Sequence, residues 1–465
     1  MSDSARPVVS RRELRKVIAA SSAGTLIEWY DFFVYGSLAV VFAGFFFPAG
    51  EQALALLVSI AAFGTGFVVR PVGAVLFGRL GDRLGRKRSF LATLLLMGAS
   101  TALIGLLPTY STIGIAAPIL LVVLRLLQGL AVGGEYGGAA TYVAEHSPPD
   151  RRGTYTSFLQ TTATAGFLLS ILVVVACRTL LGEEAFATWG WRVPFLLSAV
   201  LVVFSVQLRL KLHESPEFVT MKSSGTESKA PVRDTLANPH SLALILLTLF
   251  GITAGLGVAW YTSQFYALYF LQSVMKMDFL DANVCVAVAL VLGTPFFVLF
   301  GALSDRYGRL PFISGGLALS ALSFYPLFSW MRVAAETNGN VQIVLAVLVQ
   351  LIFTAMVYGP TGAYLTELFP PQIRYTGLSV SYHIGTGVFG GFTPLIALSL
   401  TTGTGNQLAG LIYPVAVTAV AAVVGAVLLR GGRHNRTVER AWAQFAAVPA
   451  VTAGSTTENR ERSIR

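Results

Sequence analysis

The apolar segment 21–46 contains two carboxylates where a membrane-crossing helix ordinarily has none. Glu28 and Asp31 are spaced about one helical turn apart, and Tyr35 follows a further turn along the same face. An ionisable side chain at membrane depth is costly, so it is usually partnered, hydrated or functional. The pattern therefore predicts that Asp31, with Glu28 beside it, binds and releases a proton. The alternative is that Asp31 is a structural partner for an arginine on another helix.

A second apolar segment, 117–144, contains a cation suited to Asp31. Arg125, Gln128 and Glu135 fall on one stripe at helical spacing. If both segments face one cavity, Arg125 can pair with Asp31 in one state and release it in another. A planar guanidinium also binds a carboxylate through two parallel hydrogen bonds. We therefore predict that Arg125 and Glu135 take part in proton coupling and that Arg125 holds an anionic substrate. The alternative role of Arg125 is that of a structural counter-ion.

Further polar and aromatic side chains could complete a substrate site. Arg70 lies within an apolar segment, where it either contacts substrate or ties its helix to an acid elsewhere. Trp260 and Tyr261 are candidates for a substrate wall or an outer gate, and an aromatic belt at the membrane surface is the alternative. His383 is interpreted as a packing residue. The candidate substrate-binding residues are Arg125, Tyr35, Gln128, Arg70, Trp260, Tyr261 and Gln264.

The composition indicates that membrane helices position these groups. Hydrophobic residues make up 54% and charged residues 12% of the chain, and the mean hydropathy is +0.67. A soluble domain carries about 25% charged residues. Twelve segments approach the roughly 20 apolar residues that cross a bilayer. They are 21–46, 54–78, 89–108, 117–144, 154–181, 190–212, 241–272, 281–303, 311–331, 341–368, 374–400 and 408–430.

No motif in the sequence indicates an enzyme. The two cysteines, Cys177 and Cys285, lie in apolar segments and offer neither metal-ligand spacing nor a disulfide framework. The sequence contains no nucleophile–base set, metal cluster or nucleotide-binding loop. We therefore expect no cofactor and no bound metal.

The basic residues predict the orientation of the chain. With both termini in the cytoplasm, most lysines and arginines fall in cytoplasmic segments, as membrane proteins prefer. The net charge of +10 is then a topology signal. A nucleic-acid footprint would instead need a basic face on a soluble module, so no nucleic-acid partner is expected. The chain is predicted to be a multi-pass protein of the bacterial cytoplasmic (inner) membrane.

The sequence also repeats itself once. GRLGDRLGR at 78–86 returns as GALSDRYGR at 301–309, and a second group of matches recurs at nearly the same offset. Two copies of one helical unit form the architecture of an alternating-access carrier. The second group pairs Tyr142, Glu145, Pro148, Pro149 and Arg152 with Tyr364, Glu367, Pro370, Pro371 and Arg374.

This repeat divides the chain and predicts a gate. The predicted parts are an N-terminal cytoplasmic segment 1–20, a six-helix bundle 21–212, a cytoplasmic linker 213–240, a second six-helix bundle 241–430 and a mostly disordered cytoplasmic tail 431–465. The repeated acids and cations are expected to cross-link the inner ends of the helices. Loops that only set the topology are the alternative. The candidate gate residues are Asp82, Arg83, Arg86, Glu145, Arg152, Asp305, Arg306, Arg309, Glu367 and Arg374.

Several segments carry a resemblance to a known family. GRLGDRLGRKR and its echo GALSDRYGRL resemble the loop motif of the major facilitator superfamily. GTLIEWYDFFVYG (24–36), RLLQGLAVGGEYGGA (125–139) and YGPTGAYLTELFP (358–370) resemble its metabolite:proton symporter family. The resemblance implies an all-α membrane protein with twelve transmembrane helices in two pseudo-symmetric bundles. It also implies a cavity lined by spans one, four, seven and ten, with a proton as the coupling ion. Small organic acids or zwitterionic osmolytes are the implied substrates.

Three functional classes remain open from the sequence. The first is a proton-coupled importer of a small organic acid, a mono-, di- or tricarboxylate, acting as a monomer in the lipid bilayer. Within this class a betaine- or proline-like zwitterion is the alternative substrate, with its carboxylate on Arg125 and its cation on Trp260 or Tyr261. The second class is a proton-driven exporter of organic acids or drugs. The third is a sensor that no longer transports, which the paired Asp31 and Arg125 and the repeated gate residues disfavour.

Overall fold

The structure, a computed structural model, describes residues 11–47, 52–84, 86–134, 136–210, 231–430 and 432–446. Within these ranges the chain is helical and contains no β-strand. Among the described residues, ten helical segments are long and apolar enough to cross a membrane, and a bent pair makes an eleventh. We count the shorter apolar helix Leu91–Leu106 as the twelfth. The predicted all-α architecture with twelve membrane-spanning helices is confirmed.

We number the spans in chain order, and their bounds differ from the predicted ones by a few residues. The first six are Ser21–Ser37 with Ala39–Phe46, Leu54–Phe77, Leu91–Leu106, Ala116–His146, Pro149–Leu181 and Gly190–Gln207. The second six are Pro239–Val274, Phe279–Tyr307, Arg309–Glu336, Asn340–Leu368, Arg374–Thr404 and Ala409–Leu428. Short helices also lie between spans, at Tyr110–Ile113, Glu183–Thr188 and Pro231–Ala237.

Local chemistry explains where several helices bend or begin. Span one bends by 59° after the Gly36-Ser37 pair, a common site of helix kinks. The Asn238 side chain caps span seven by accepting hydrogen bonds from the backbone N–H groups of His240 and Ser241. Gly308 turns the chain between spans eight and nine with φ +90°, a conformation that residues with a Cβ rarely adopt.

Spans seven and eleven are interrupted by π-helical turns. Span seven contains three of them, at Leu249–Thr253, Thr262–Tyr266 and Phe270–Val274. Span eleven contains a longer one at His383–Gly390. Such turns occur frequently at functional sites because they leave backbone groups and side chains out of the regular α register.

The two halves of the chain meet along matching helices. Span five packs along span eight, and span two packs against span eleven. Within the first half, spans two and four approach so closely that a methyl group on Gly129 would overlap the Gly66 carbonyl. Small residues permit such close backbone contact between membrane helices. The functional side chains described below lie in this tightly packed interior.

The segments outside the twelve spans depart from expectation. Residues 432–446 form a helix, so the prediction of a mostly disordered tail is wrong for this stretch; residues 447–465 lie outside the described ranges. Trp442 Nε1 donates a hydrogen bond of 3.1 Å to the Leu368 carbonyl at the end of span ten. His434 Nε2 lies 3.4 Å from the Tyr364 hydroxyl, and burial lowers the pKa of the His434 imidazole. This helix is amphipathic, and it packs against span ten through these contacts.

Candidate functional site

A small cavity lies between the two halves of the chain. Its volume, about 20 Å³ of space for the centre of a water molecule, is room for roughly one water. Three spans of each half supply its walls. The lining residues are Trp29, Phe33, Arg70 and Ala163 from the first half and Leu256, Gly257, Trp260, Tyr261, Tyr358, Tyr382 and Thr386 from the second. Spans one, seven and ten thus line the cavity as the resemblance implied, but span four contributes no lining residue, and spans two, five and eleven do.

Arg70 brings a buried positive charge to this cavity. The side chain is about 1% exposed, and its guanidinium carbon lies 4.4 Å and 4.3 Å from the ring centroids of Phe32 and Phe67. Among the described residues, no carboxylate forms an ion pair with Arg70, and its Nε and Nη2 atoms have no hydrogen-bond partner. Aromatic ring faces, together with the nearby Tyr261 hydroxyl, therefore surround this cation in the closed cavity.

Arg125 is also buried, but it lies outside the cavity lining. Its Nη1 atom donates to the Phe32 carbonyl at 3.1 Å and to Gln128 Oε1 at 2.5 Å, and Nη2 donates to the Phe63 carbonyl at 3.4 Å. Its guanidinium carbon lies 4.3 Å from the centroid of the same Phe32 ring that Arg70 contacts. The two cations thus share one aromatic ring. In this state carbonyl oxygens accept hydrogen bonds from both Nη atoms of Arg125, and its Nε atom has no partner among the described residues.

Asp31 does not pair with Arg125, contrary to the predicted ion pair. The Asp31 side chain is fully buried near Ser198 of span six, and neither carboxylate oxygen forms a hydrogen bond with a described residue. Its backbone carbonyl instead accepts a hydrogen bond of 3.3 Å from Gln128 Nε2. Arg125 binds the carbonyl of the next residue, Phe32, so the carbonyls of these two consecutive residues accept hydrogen bonds from different side chains. Coupling between Asp31 and Arg125 therefore stays a prediction for another conformational state.

The other predicted site residues are distributed around the cavity. Tyr35 donates a hydrogen bond of 3.0 Å to the Ser59 carbonyl, behind the cavity wall. Gln264 is fully buried, and neither amide atom has a hydrogen-bond partner among the described residues, but it is not part of the lining. Glu28 is buried in span one. Glu135 lies outside the described residues.

Trp260 and Tyr261 are placed as cavity-wall residues. They are 5% and 3% exposed, and the Trp260 ring stacks on Phe33 with centroids 5.1 Å apart. Trp260 Nε1 donates to Thr164 Oγ1 at 3.2 Å, which joins span seven to span five. Because both residues are buried between the halves, the alternative of an aromatic belt at the membrane surface is wrong.

Charged residues join the two halves at the end of the bundle where spans four and eight finish, which we call the motif end. Asp305 accepts hydrogen bonds of 2.8 Å from the backbone N–H groups of Gly153 and Thr154. Arg374 lies 3.3 Å from Glu145 in an ion pair between spans eleven and four. These contacts cross from one half to the other, whereas the sequence predicted cross-links at the inner helix ends without assigning partners.

The remaining candidate gate residues lie around these contacts. Arg309 Nη1 lies 2.5 Å from Asp305 and Arg309 Nη2 lies 3.1 Å from Glu367, so one guanidinium joins spans eight, nine and ten. Arg152 is half-buried at the same end, and Arg306 is exposed. The side chains of Asp82, Arg83 and Arg86 lie outside the described residues. The role of the whole set in gating stays a prediction.

We expect Asp305→Asn to open the motif end. The two carboxylate oxygens of Asp305 each accept from one N–H group, whereas an amide offers one acceptor oxygen and turns an NH2 donor towards the other N–H group. The substitution also removes the charge, and charge-assisted hydrogen bonds are the stronger kind. In a carrier with Ala163→Cys as the only cysteine, labelling from the motif side should accelerate about tenfold. Asp281→Asn, the same change at the opposite end of the same helix, should leave labelling unchanged. Equal labelling rates in the two variants would mean that these charged residues set the membrane topology and do not close the motif end.

Sequence reasoning missed a group of tyrosines on the motif side of the cavity. Tyr136, Tyr358 and Tyr382 are buried between the halves, and none of them is among the candidate site residues named from the sequence. Only the recurrence of tyrosine in spans four, ten and eleven could have indicated the group, because which rings meet depends on tertiary packing.

Comparison with known proteins decides the family. The family model described as sugar (and other) transporter matches residues 16–429. The chain belongs to this transporter family. It is therefore a membrane transporter of the major facilitator superfamily and not an enzyme, as the sequence motifs implied.

Curated relatives of this transporter span nearly its whole length. The inner membrane metabolite transport protein YhjE of Escherichia coli (strain K12) is 38% identical over 448 residues, covering 92% of this chain and 96% of the relative. The alpha-ketoglutarate permease of the same organism is 35% identical over 429 residues, with 92% and 96% covered. The proline/betaine transporter of Salmonella typhimurium (strain LT2) is 34% identical over 429 residues, covering 90% and 84%. These relatives support a multi-pass transporter of small molecules in a bacterial inner membrane.

Solved structures agree on the fold. The xylose transporter XylE from E. coli, in a partially occluded inward-open conformation, superimposes with a TM-score of 0.68. The match covers 88% of this transporter and 96% of XylE at 19% sequence identity, so it supports the shared fold alone.

Proposed function

We propose that this transporter couples the inward movement of protons to the import of a small carboxylate by alternating access. The observation that carries the proposal is the pair of buried arginines: Arg70 lines the cavity, Arg125 lies behind the shared Phe32 ring, and neither forms an ion pair with a described carboxylate. A buried cation without a counter-ion is costly, and an anionic substrate would provide the missing charge.

Asp31 is the proton site in this proposal. It is buried in span one, and no described residue forms an ion pair with it. A carboxylate in such a position becomes charged when water, a cation or a substrate-driven movement reaches it. Protonated Asp31 would leave Arg125 free for substrate, and deprotonated Asp31 would compete for Arg125 in an open state. The motif end is cytoplasmic with both termini, the carrier acts as a monomer, and the proton is the coupling ion without a further cofactor.

A zwitterion such as proline or a betaine is the second candidate. Two features favour it: the aromatic cavity wall of Trp29, Trp260 and Tyr261, and the curated proline/betaine transporters among the relatives. Aromatic faces bind quaternary ammonium groups. Arg70, however, already lies 5.5 Å from the Trp29 ring, and its charge would repel a substrate cation there.

Uptake into proteoliposomes tests this proposal. With an inward proton gradient, we expect a labelled mono-, di- or tricarboxylate to accumulate above its external concentration, and this accumulation should disappear when an ionophore collapses the gradient. A thermal-shift series of α-ketoglutarate, lactate, citrate, proline and glycine betaine first selects the ligand, since a ligand at about 100 times its Kd stabilises the folded carrier by roughly 2.7 kcal/mol.

The outcomes separate the functional classes. Accumulation of an acid driven by the inward gradient supports the proposed symport. Stabilisation and uptake of glycine betaine, but of no acid, would establish the zwitterion class. Accumulation only under an outward proton gradient would identify an exporter, and binding without flux would identify a sensor.

A further inference from the structure

Two tyrosine rings from opposite halves of the carrier stack against each other on the motif side of the cavity. Tyr136 of span four and Tyr382 of span eleven have ring centroids 3.6 Å apart and planes inclined by 11°. Both side chains are buried. No other aromatic pair between the described residues has its centroids this close, so this contact is the tightest ring contact of the structure.

Each ring is held from behind by its own half. The Tyr136 hydroxyl lies 2.8 Å from Gln160 Nε2, which belongs to span five of the same half. The Tyr382 hydroxyl lies 2.6 Å from the Tyr358 hydroxyl, which belongs to span ten of the other half. The hydrogen bonds of Tyr136 to Gln160 and of Tyr382 to Tyr358 therefore stay within the halves, whereas the stacked rings join one half to the other.

The stack lies between the cavity and the charged contacts of the motif end. Tyr358 and Tyr382 form part of the cavity wall. Farther along spans four and eleven, towards the motif end, Tyr375 donates a hydrogen bond of 2.8 Å to the Gly134 carbonyl, and Arg374 pairs with Glu145. A substrate that leaves the cavity towards the motif end meets the tyrosine stack first and the charges afterwards.

We propose that Tyr136 and Tyr382 form an aromatic gate that closes the substrate cavity on its motif side, separately from the charged contacts at the end of the bundle. The stack breaks when the halves part and re-forms when they close. Because Gln160 and Tyr358 keep both rings oriented within their own halves, opening of the aromatic gate itself breaks one aromatic contact and leaves these two hydrogen bonds intact. Such a contact is strong enough to seal the cavity and weak enough to reverse in every transport cycle. The inference rests on alternating access in the proposed function, but not on the identity of the substrate.

Cysteine labelling without substrate tests this gate. In the Ala163→Cys carrier described above, we expect Tyr136→Ala and Tyr382→Ala each to accelerate labelling from the motif side about tenfold, since loss of a ring shifts the closed–open equilibrium. Tyr136→Phe keeps the ring and should label at a rate close to that of the parent. Tyr325→Ala, the same change at an exposed tyrosine on the outside of span nine, is the matched control.

The double variant separates a gate from a general loosening of the fold. If the two rings act on each other, Tyr136→Ala with Tyr382→Ala should label no faster than either single variant. Additive acceleration, or an equal acceleration in Tyr325→Ala, would overturn the proposal. So would unchanged labelling in Tyr136→Ala and Tyr382→Ala when Asp305→Asn in the same assay is fast, because the charged contacts alone would then close the cavity. None of these outcomes depends on whether the substrate is an acid or a zwitterion.

Discussion

Replacing Asp31 with asparagine is expected to abolish uphill accumulation of substrate while preserving its binding and its exchange across the membrane. Asparagine has nearly the shape of the protonated carboxyl group but cannot release a proton, so the carrier keeps its closed packing and loses the coupling ion. In proteoliposomes the ratio of internal to external substrate should fall to about one under an inward proton gradient. Counterflow of labelled substrate should continue.

Asp281→Asn provides the matched control for this experiment. Asp281 is exposed at the end of span eight opposite the motif end, so its replacement should leave accumulation intact. Full accumulation by Asp31→Asn would remove Asp31 from the coupling mechanism. Loss of both accumulation and counterflow, with an unchanged thermal transition, would show that Asp31 acts in substrate movement itself.

Replacing Arg70 with lysine is expected to weaken binding of a carboxylate substrate by about tenfold or more. Lysine retains the charge, but it lacks the planar pair of donors that a carboxylate binds in parallel, and its compact ammonium group is more strongly hydrated. The predicted role of Arg125 makes Arg125→Lys the natural comparison. Arg70 lines the cavity and Arg125 is bound to carbonyl oxygens behind Phe32, so Arg70→Lys should show the larger loss.

Titration of the purified variants with substrate, followed by intrinsic fluorescence or calorimetry, measures both affinities. Arg233→Lys serves as the control, because Arg233 is exposed in the short helix Pro231–Ala237 that precedes span seven. A larger loss of affinity in Arg125→Lys would indicate that the substrate carboxylate binds mainly to Arg125 and not to Arg70. Unchanged affinity in both lysine variants would contradict the carboxylate proposal, because neither guanidinium would then contact the substrate through its two donors.

The spans and the charged contacts could be predicted from the sequence because each depends on a local signal. Apolar length gives the spans directly, and the duplicated loop motifs mark positions that meet when two copies of one unit face each other. The contacts of Asp305 with Gly153 and Thr154 and the pairing of Arg374 with Glu145 follow from that duplication.

The interior of the site could not be predicted to the same degree. The predicted Asp31–Arg125 pair depended on charge and helical spacing, but backbone carbonyls compete for a guanidinium, and in this state the Phe32 and Phe63 carbonyls bind Arg125. The Tyr136–Tyr382 stack could not be predicted either, because it depends on how span four packs against span eleven. The helix of residues 432–446 has an amphipathic pattern in the sequence, but its packing against span ten is a tertiary contact that this pattern does not specify.

The π-helical turns of span seven have a consequence for mapping experiments. A π-turn closes its hydrogen bond over one residue more than an α-turn, so each one rotates the following residues by roughly 100° relative to a regular helix. A cysteine or spin-label scan along span seven should therefore lose its phase at 249–253, at 262–266 and again at 270–274. A helical wheel drawn from the start of this span is out of register before it reaches Gln264, and accessibility data there must be fitted piecewise between the turns.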